Sequence, residues 1–162
     1  MKENSLKMMS KSLTDLRDTV LSWVAPELLE GKPKLLLLKG AMGTGKTTFT
    51  TILAEHLGAQ DAASPSFAIH SRYEGPRGTI DHFDLDRLKS ADELESIGFW
   101  DLISEASHDS RRFVVVEWAS RLEEFGFQLD GALWAKPFRV WQFEFAGEPA
   151  WSVSKKLVAA KN

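Results

Sequence analysis

The chain has 162 residues, a length that fits one compact domain. Hydrophobic residues make up 43% and charged residues 27% of it, as in an ordinary globular protein with a sizeable core. The formal net charge of -3 gives no electrostatic case for the chain binding nucleic acid alone, because neutralising phosphates requires clustered Lys and Arg. Cysteine is absent, which excludes a disulfide framework and a cysteine-based metal site.

Residues 1–12 are polar and contain no apolar run long enough for a signal peptide or a membrane span. We therefore expect no membrane association. The absence of cysteine fits the reducing cytoplasm, where we expect the protein to reside. We expect a single domain over residues 1–162, with loose ends at about residues 1–10 and 155–162.

The first third of the chain predicts a helix, a buried strand, a loop and a second helix. Apolar residues recur at helical spacing between residues 13 and 24. Residues 35–38 form a short, continuous apolar run, which is typical of a strand buried on both faces. After a glycine-rich loop over residues 40–45, apolar residues again recur at helical spacing from 49 to 57, and Gly58 ends this helix.

The middle of the chain predicts a hairpin followed by an interrupted helix. Residues 67–73 and 79–85 read as two strands around the glycine- and proline-containing turn 74–78. Residues 91–107 read as a helix that is broken near Gly98.

The last third predicts three further strands. Residues 113–116 read as a second buried strand that ends at Glu117 and lies beside the strand preceding the loop. Residues 138–145 alternate between apolar and polar, which indicates a strand at the sheet edge, and residues 151–153 can pair with it across the turn 147–149. Strands interleaved with helices indicate an α/β fold of three layers, with a mixed central sheet and helices on both faces.

The glycine-rich loop contains a phosphate-binding motif. Residues 40–47 read Gly-Ala-Met-Gly-Thr-Gly-Lys-Thr and match the pattern G-x-x-x-x-G-K-[ST]. The glycines let the backbone curl so that successive N–H groups point at phosphate oxygens, and the following helix directs its positive end at the same place. Lys46 would reach the β- and γ-phosphates, and the Thr47 hydroxyl would coordinate Mg²⁺. This motif predicts a P-loop NTPase fold that binds MgATP.

Two acidic residues at strand ends are candidates for completing the metal site and orienting the attacking water. Glu117 follows the apolar strand 113–116, and Asp84 lies between Phe83 and Leu85. Glu117 could instead be a solvated strand end, and Asp84 could form a surface ion pair with Arg87. The spacing does not decide which of the two binds metal and which orients water.

Three other residues near these motifs have both a functional and an ordinary explanation. His82 could relay protons or make a structural hydrogen bond. Ser66, in the segment Ser64-Pro65-Ser66, could respond to the γ-phosphate as a switch or belong to an ordinary turn. Trp118 adjoins Glu117 and could contact the ligand, whereas tryptophans are more often packing residues.

The assembled motifs resemble one family, the TsaE (YjeE) ATPases of tRNA threonylcarbamoyladenosine biosynthesis. The family pattern reads G-x-x-G-A-G-K-T-T-F, S-P-T-[FY], H-x-D-L-Y-R-L with E-L-x-x-x-G, and an apolar strand ending in E-W. The matching blocks in this chain are residues 40–49, 64–67, 82–88, 93–98 and 117–118. Thr44 replaces the family's Ala, Ser66 its Thr and Asp86 its Tyr, and the resemblance fades after Trp118.

The resemblance implies an ATPase that acts with TsaB- and TsaD-type partners and resets the partner enzyme between turnovers, while tRNA is held only through the complex. It also implies that Thr47 and Glu117 bind the metal, with Asp84 close by. Two alternatives remain open: a small P-loop kinase of a metabolite, and a nucleotide-dependent interaction module with little catalysis. The absence of a guanine-reading N-K-x-D motif favours ATP.

Motif and resemblance together assign each candidate residue a role. We expect Lys46, Glu117 and Asp84 to act in catalysis, and Thr47, Glu117 and Asp84 to hold Mg²⁺. The residues expected to contact ATP are Gly40, Met42, Gly43, Thr44, Gly45, Lys46, Thr47, Thr48, Ser66 and Trp118.

Overall fold

The computed structural model of the chain describes residues 5–9, 13–60, 68–130, 132–134, 138–147 and 152–158. Within these ranges the chain forms seven strands: β1 Ser5–Met9, β2 Lys34–Gly40, β3 His70–Gly75, β4 Gly78–Asp84, β5 Arg112–Glu117, β6 Arg139–Ala146 and β7 Ser152–Val158. The same ranges contain five helices: α1 Leu13–Leu29, α2 Lys46–His56, α3 Ala91–Ser96, α4 Phe99–Ala106 and α5 Ser120–Glu124. The segment 64–67, the turn residues 148–149 and the last residues 159–162 lie outside the described residues.

The strands form one mixed sheet in the order β1-β7-β6-β2-β5-β4-β3. The four central strands β6, β2, β5 and β4 are parallel, while β3, β7 and β1 pair antiparallel with their neighbours. As expected, β2 and β5 are direct neighbours, with Leu38 opposite Glu117. The carboxyl ends of the parallel strands therefore meet at one edge of the sheet, where α/β proteins bind their ligands.

Helices cover both faces of the sheet, so the three-layer prediction is confirmed. Leu36 and Leu38 of β2 belong to the core beneath α1 and α2, and Leu35 and Leu37 belong to the core beneath α3, α4 and α5. All four side chains are fully buried. Two covered faces explain why β2 reads as an unbroken apolar run, because side chains alternate between the faces along a strand.

The predicted break near Gly98 is also confirmed. Helix α3 begins after Ser90, whose hydroxyl accepts a hydrogen bond from the backbone N–H of Glu93, as an N-cap does. Gly98 has a φ of 77°, in the left-handed region that favours glycine, and α4 begins at the next residue.

The predicted edge position of residues 138–145 is wrong, because β6 lies between β2 and β7. Trp141, Phe143 and Phe145 are buried beneath α1 and α2. Gln142 and Glu144 face the opposite side, where one is half-buried and the other exposed. The alternation of apolar and polar residues therefore arises because one face of this part of β6 is poorly covered. It does not indicate that β6 lacks a neighbouring strand. The predicted pairing of the last strand with β6 is confirmed.

The expected loose ends are wrong for residues 5–9 and 155–158, which lie in β1 and β7. These two strands pair antiparallel, with Ser5 opposite Lys156 and Met9 opposite Ser152. Backbone hydrogen bonds between strands do not depend on the side-chain pattern, so short segments without a regular hydrophobic pattern can extend a sheet. None of the helices in the described ranges is both long and apolar enough to cross a membrane.

Candidate nucleotide-binding site

The glycine-rich loop connects the end of β2 at Gly40 to the start of α2 at Lys46. Gly40 has a φ of 145°, and a Cβ built on it would lie 2.6 Å from the backbone oxygen of Phe145 on β6. Real Cβ atoms do not approach that closely, so only glycine fits where the loop leaves the sheet. Gly43 and Gly45 have φ values of 76° and 104°, which turn the backbone as a phosphate-binding loop requires.

Lys46 is buried beneath this loop. Its Nζ donates hydrogen bonds to the backbone oxygens of Gly40 and Ala41, the second at 2.8 Å. The same atom lies 4.4 Å from the ring centroid of Trp118, a cation–π contact. These contacts hold the ammonium group against the loop whose backbone would receive the phosphates.

Three carboxylates act electrostatically on the Lys46 ammonium group. Burial lowers the pKa of Lys46 from its ordinary value. The negative charges of Glu117, Asp84 and Asp86, in decreasing order of effect, oppose this change. Asp86 was not predicted as a site residue, because its only sequence signal was a departure from the tyrosine of the family pattern.

Glu117, at the end of β5, faces the start of α2. Its side chain is 3% exposed. One carboxylate oxygen accepts a hydrogen bond of 3.0 Å from the Thr47 hydroxyl, and the other contacts Nε2 of His82. The structure therefore brings together the predicted metal residues Thr47 and Glu117, and the alternative of a solvated strand end is wrong.

Asp84, at the end of β4, is the direct strand neighbour of Glu117. One of its carboxylate oxygens accepts a hydrogen bond of 3.1 Å from the backbone N–H of Asp86, which fixes the turn after β4. The side chain is half-buried at the edge of the site. Asp84 is thus placed beside the cluster of Lys46, Thr47 and Glu117.

Trp118 has a strained backbone at the site. Its φ of 57° is the only positive value at a non-glycine residue among the described residues. Such a conformation costs about 1–3 kcal/mol and persists only where the surroundings enforce it. The next residue, Ala119, donates its backbone N–H to the backbone oxygen of Leu38 at 3.1 Å. This bond secures the turn that directs the indole ring towards Lys46.

The remaining predicted nucleotide contacts differ in their placement. The Thr44 hydroxyl donates a hydrogen bond of 2.7 Å to the backbone oxygen of Ala41 and so stabilises the loop. Met42 is 81% exposed at the tip of the loop, and Thr48 is half-buried in the first turn of α2. Ser66 lies outside the described residues, so its switch role stays a prediction.

The donor atoms at this site fit a magnesium ion. The Thr47 hydroxyl and the carboxylates of Glu117 and Asp84 are hard oxygen donors, which Mg²⁺ prefers. Among the described residues, no group of three or more His, Asp and Glu side chains could hold a metal by itself. Mg²⁺ commonly uses one or two carboxylates together with substrate phosphates and water, so this composition matches a site that is completed by nucleotide.

Comparison with known proteins decides the family. The model of the family described as "Threonylcarbamoyl adenosine biosynthesis protein TsaE" matches residues 9–137, more than half of the chain. The chain belongs to the TsaE family. The resemblance seen in the motifs is thereby confirmed, and the family is one of P-loop nucleotide-binding proteins.

Curated relatives named "tRNA threonylcarbamoyladenosine biosynthesis protein TsaE" match about half of the chain. The protein of Aquifex aeolicus is 37% identical over 75 residues, which cover 44% of this chain and 56% of the relative. The protein of Borreliella burgdorferi is 33% identical over 85 residues, covering 52% and 59%. That of Rickettsia felis is 31% identical over 87 residues, covering 52% and 47%. The chain thus spans about half the length of the curated relatives that it matches.

A solved structure has the same fold. The crystal structure of YdiB from Bacillus subtilis superposes with a TM-score of 0.61 and 22% sequence identity, covering 98% of this chain and 89% of the other. The likeness extends over nearly the whole chain and agrees with the P-loop α/β fold predicted from the sequence.

Proposed function

We propose that the protein binds ATP with Mg²⁺ at the loop 40–47 and hydrolyses it, as the nucleotide-driven component of the machinery that makes threonylcarbamoyladenosine at position 37 of tRNA. One observation carries the proposal. In a member of the TsaE family, the Thr47 hydroxyl is hydrogen-bonded at 3.0 Å to the buried carboxylate of Glu117. A P-loop that hydrolyses nucleotide requires a hydroxyl and a carboxylate in this relation.

The loop and Lys46 would bind the phosphates. Backbone N–H groups of the loop and of the first turn of α2 would donate hydrogen bonds to the phosphate oxygens. Lys46 would exchange its contacts with the loop oxygens for the β- and γ-phosphates and stabilise charge on the transferring group.

The carboxylates would arrange the metal and the attacking water. Bound Mg²⁺ supplies neutralisation of phosphate charge. The Thr47 hydroxyl can offer a lone pair to the metal while it continues to donate its hydrogen bond to Glu117, since a hydroxyl both donates and accepts. Asp84 lies one strand further along the same edge and is the second acidic group available for the metal or the water.

The proposed partners are TsaB- and TsaD-type proteins, whose enzyme would be reset by ATP hydrolysis. The formal net charge of -3 agrees with tRNA being gripped by the assembly and not by this chain. We also propose a cytoplasmic location, which the absence of cysteine supports.

Phosphate release tests the activity. Purified protein should hydrolyse ATP slowly in the presence of Mg²⁺, and TsaB- and TsaD-type partners should increase the rate. Lys46→Ala and chelation of Mg²⁺ should each abolish this activity. Unchanged hydrolysis by Lys46→Ala would contradict the site, because the residual activity would come from elsewhere.

Two further outcomes would favour the alternatives. Transfer of labelled phosphate to a metabolite would indicate a kinase, and tight ATP binding without hydrolysis in the presence of partners would indicate an interaction module. The kinase has little support, because Arg121 is the only arginine in residues 120–131 and is bonded to Glu124 and to the backbone oxygen of Asp86.

A further inference from the structure

His82 contacts Glu117 but is not one of the residues expected to bind nucleotide or metal. It lies in β4, and its side chain is 11% exposed. Its Nε2 contacts the oxygen of Glu117 that does not bind Thr47. We propose that His82 is a positioning residue for ATP hydrolysis, which holds the Glu117 carboxylate so that its other oxygen faces the Thr47 hydroxyl. This inference rests on the function proposed above.

The two contacts of Glu117 come from different elements. Thr47 belongs to α2, and His82 belongs to the sheet. A glutamate side chain turns about several bonds, so a single hydrogen bond does not by itself fix the plane of its carboxylate. A second contact, on the other oxygen, fixes the plane of the carboxylate. Groups beyond the direct metal ligands commonly orient those ligands in this way.

The chemistry of the contact sets the direction of its hydrogen bond. An ionised carboxylate only accepts hydrogen bonds, so the hydrogen of the contact is carried by Nε2. His82 therefore acts as a donor to Glu117. This assignment predicts that another side chain with an N–H at the same place can substitute for the imidazole.

The backbone that carries His82 is fixed on both sides. His82 is the strand neighbour of Ser71 on β3 and of Val115 on β5. Tyr73 on β3 lies against it, with the two ring centroids 6.3 Å apart. A residue held in the middle of a sheet places its side chain more precisely than a loop residue does. The support of Glu117 is therefore rigid.

A second histidine–carboxylate pair offers a control. His70 on β3 contacts Asp81 of β4 at 2.9 Å. Asp81 precedes His82, so its side chain points to the opposite face of the sheet, away from the nucleotide site. Arg72 and Arg112 also bind Asp81 and would keep it in place without His70. Loss of His70 should therefore affect stability without changing catalysis.

The experiment measures steady-state phosphate release from ATP with Mg²⁺, in the presence of whichever partners stimulate the wild type. His82→Leu should lower kcat by about 10- to 100-fold, the usual effect of losing a group that orients a metal ligand, and change KM for ATP by less than about threefold. His82→Gln should recover most of this loss, because its amide N–H can reach the Glu117 oxygen. His70→Leu should retain the wild-type kcat.

A second pair of variants covers the case in which His82→Leu does not fold. His82→Asn is as polar as His82→Gln but too short to reach Glu117, so its kcat should be at least about tenfold lower. Equal kcat values for the two amide variants, or wild-type kcat in a folded His82→Leu, would overturn the inference while leaving ATP hydrolysis established. Absence of hydrolysis by the wild type with partners would instead refute the proposed function, and this inference with it.

Discussion

Asp81 is a fully buried carboxylate on the face of the sheet opposite to the nucleotide site. It accepts hydrogen bonds from His70, Arg72 and Arg112. Burial alone would raise the pKa of Asp81, but these hydrogen bonds and the charge of Arg112 lower it from 3.8 to about 2. The ion pairs of Asp81 should therefore make the protein sensitive to acid.

The sign and size of this effect follow from the pKa. Because the folded protein holds the Asp81 proton less tightly than the unfolded chain, the stabilisation is complete above about pH 4 and is lost as the pH falls through about 2. At about 1.4 kcal/mol per pKa unit, the contribution is roughly 2 kcal/mol. Asp81→Asn cannot titrate, so its stability relative to the wild type should improve by this amount between pH 6 and pH 2.

Urea unfolding at a series of pH values, followed by tryptophan fluorescence, measures the difference. At pH 6 the variant should be less stable by about 3 kcal/mol, because Arg112 loses its buried partner and keeps only the more exposed carboxylates of Glu105 and Asp109. Asp18→Asn, at an exposed position of α1, serves as the control and should show a smaller change with pH. A difference between Asp81→Asn and the wild type that stays constant from pH 6 to pH 2 would refute the reasoning.

Two further predictions concern the site. Glu117→Gln should lower kcat by about 100-fold, since loss of a single electrostatic catalytic group typically has an effect of this size. Glu95→Gln, at an exposed position of α3, is the control and should leave kcat unchanged. Equal phosphate release by both variants would contradict the role of Glu117. Gly40→Ala should lower the free energy of unfolding by about 1–3 kcal/mol more than Gly31→Ala, because only at Gly40 would the added Cβ meet the backbone oxygen of Phe145. Equal urea midpoints for these two variants would show that the loop can move away from β6.

Much of the fold could be predicted because its signals are local. The apolar runs of β2 and β5 follow from burial on both faces, and the break between α3 and α4 follows from Gly98. The loop 40–47 was recognisable because its glycine spacing is dictated by backbone geometry, which neighbours in space hardly alter.

Errors arose where a pattern has more than one physical cause. The alternation in β6 could come from an edge position or from one poorly covered face, and the sequence does not distinguish them. The strand β1 and the full length of β7 were not predicted, because their pairing depends on backbone groups of distant segments.

By itself the sequence determined the phosphate-binding loop, the two acidic strand ends and the family, since each depends on residue types at short, constrained spacing. The tertiary structure decided which side chains meet at the site. His82 and Glu117 are 35 positions apart and Thr47 and Glu117 are 70 apart, yet they touch because β4 and β5 pair in register and α2 begins beside them. Contacts of this kind depend on strand order and register, which are set by the packing of the whole sheet.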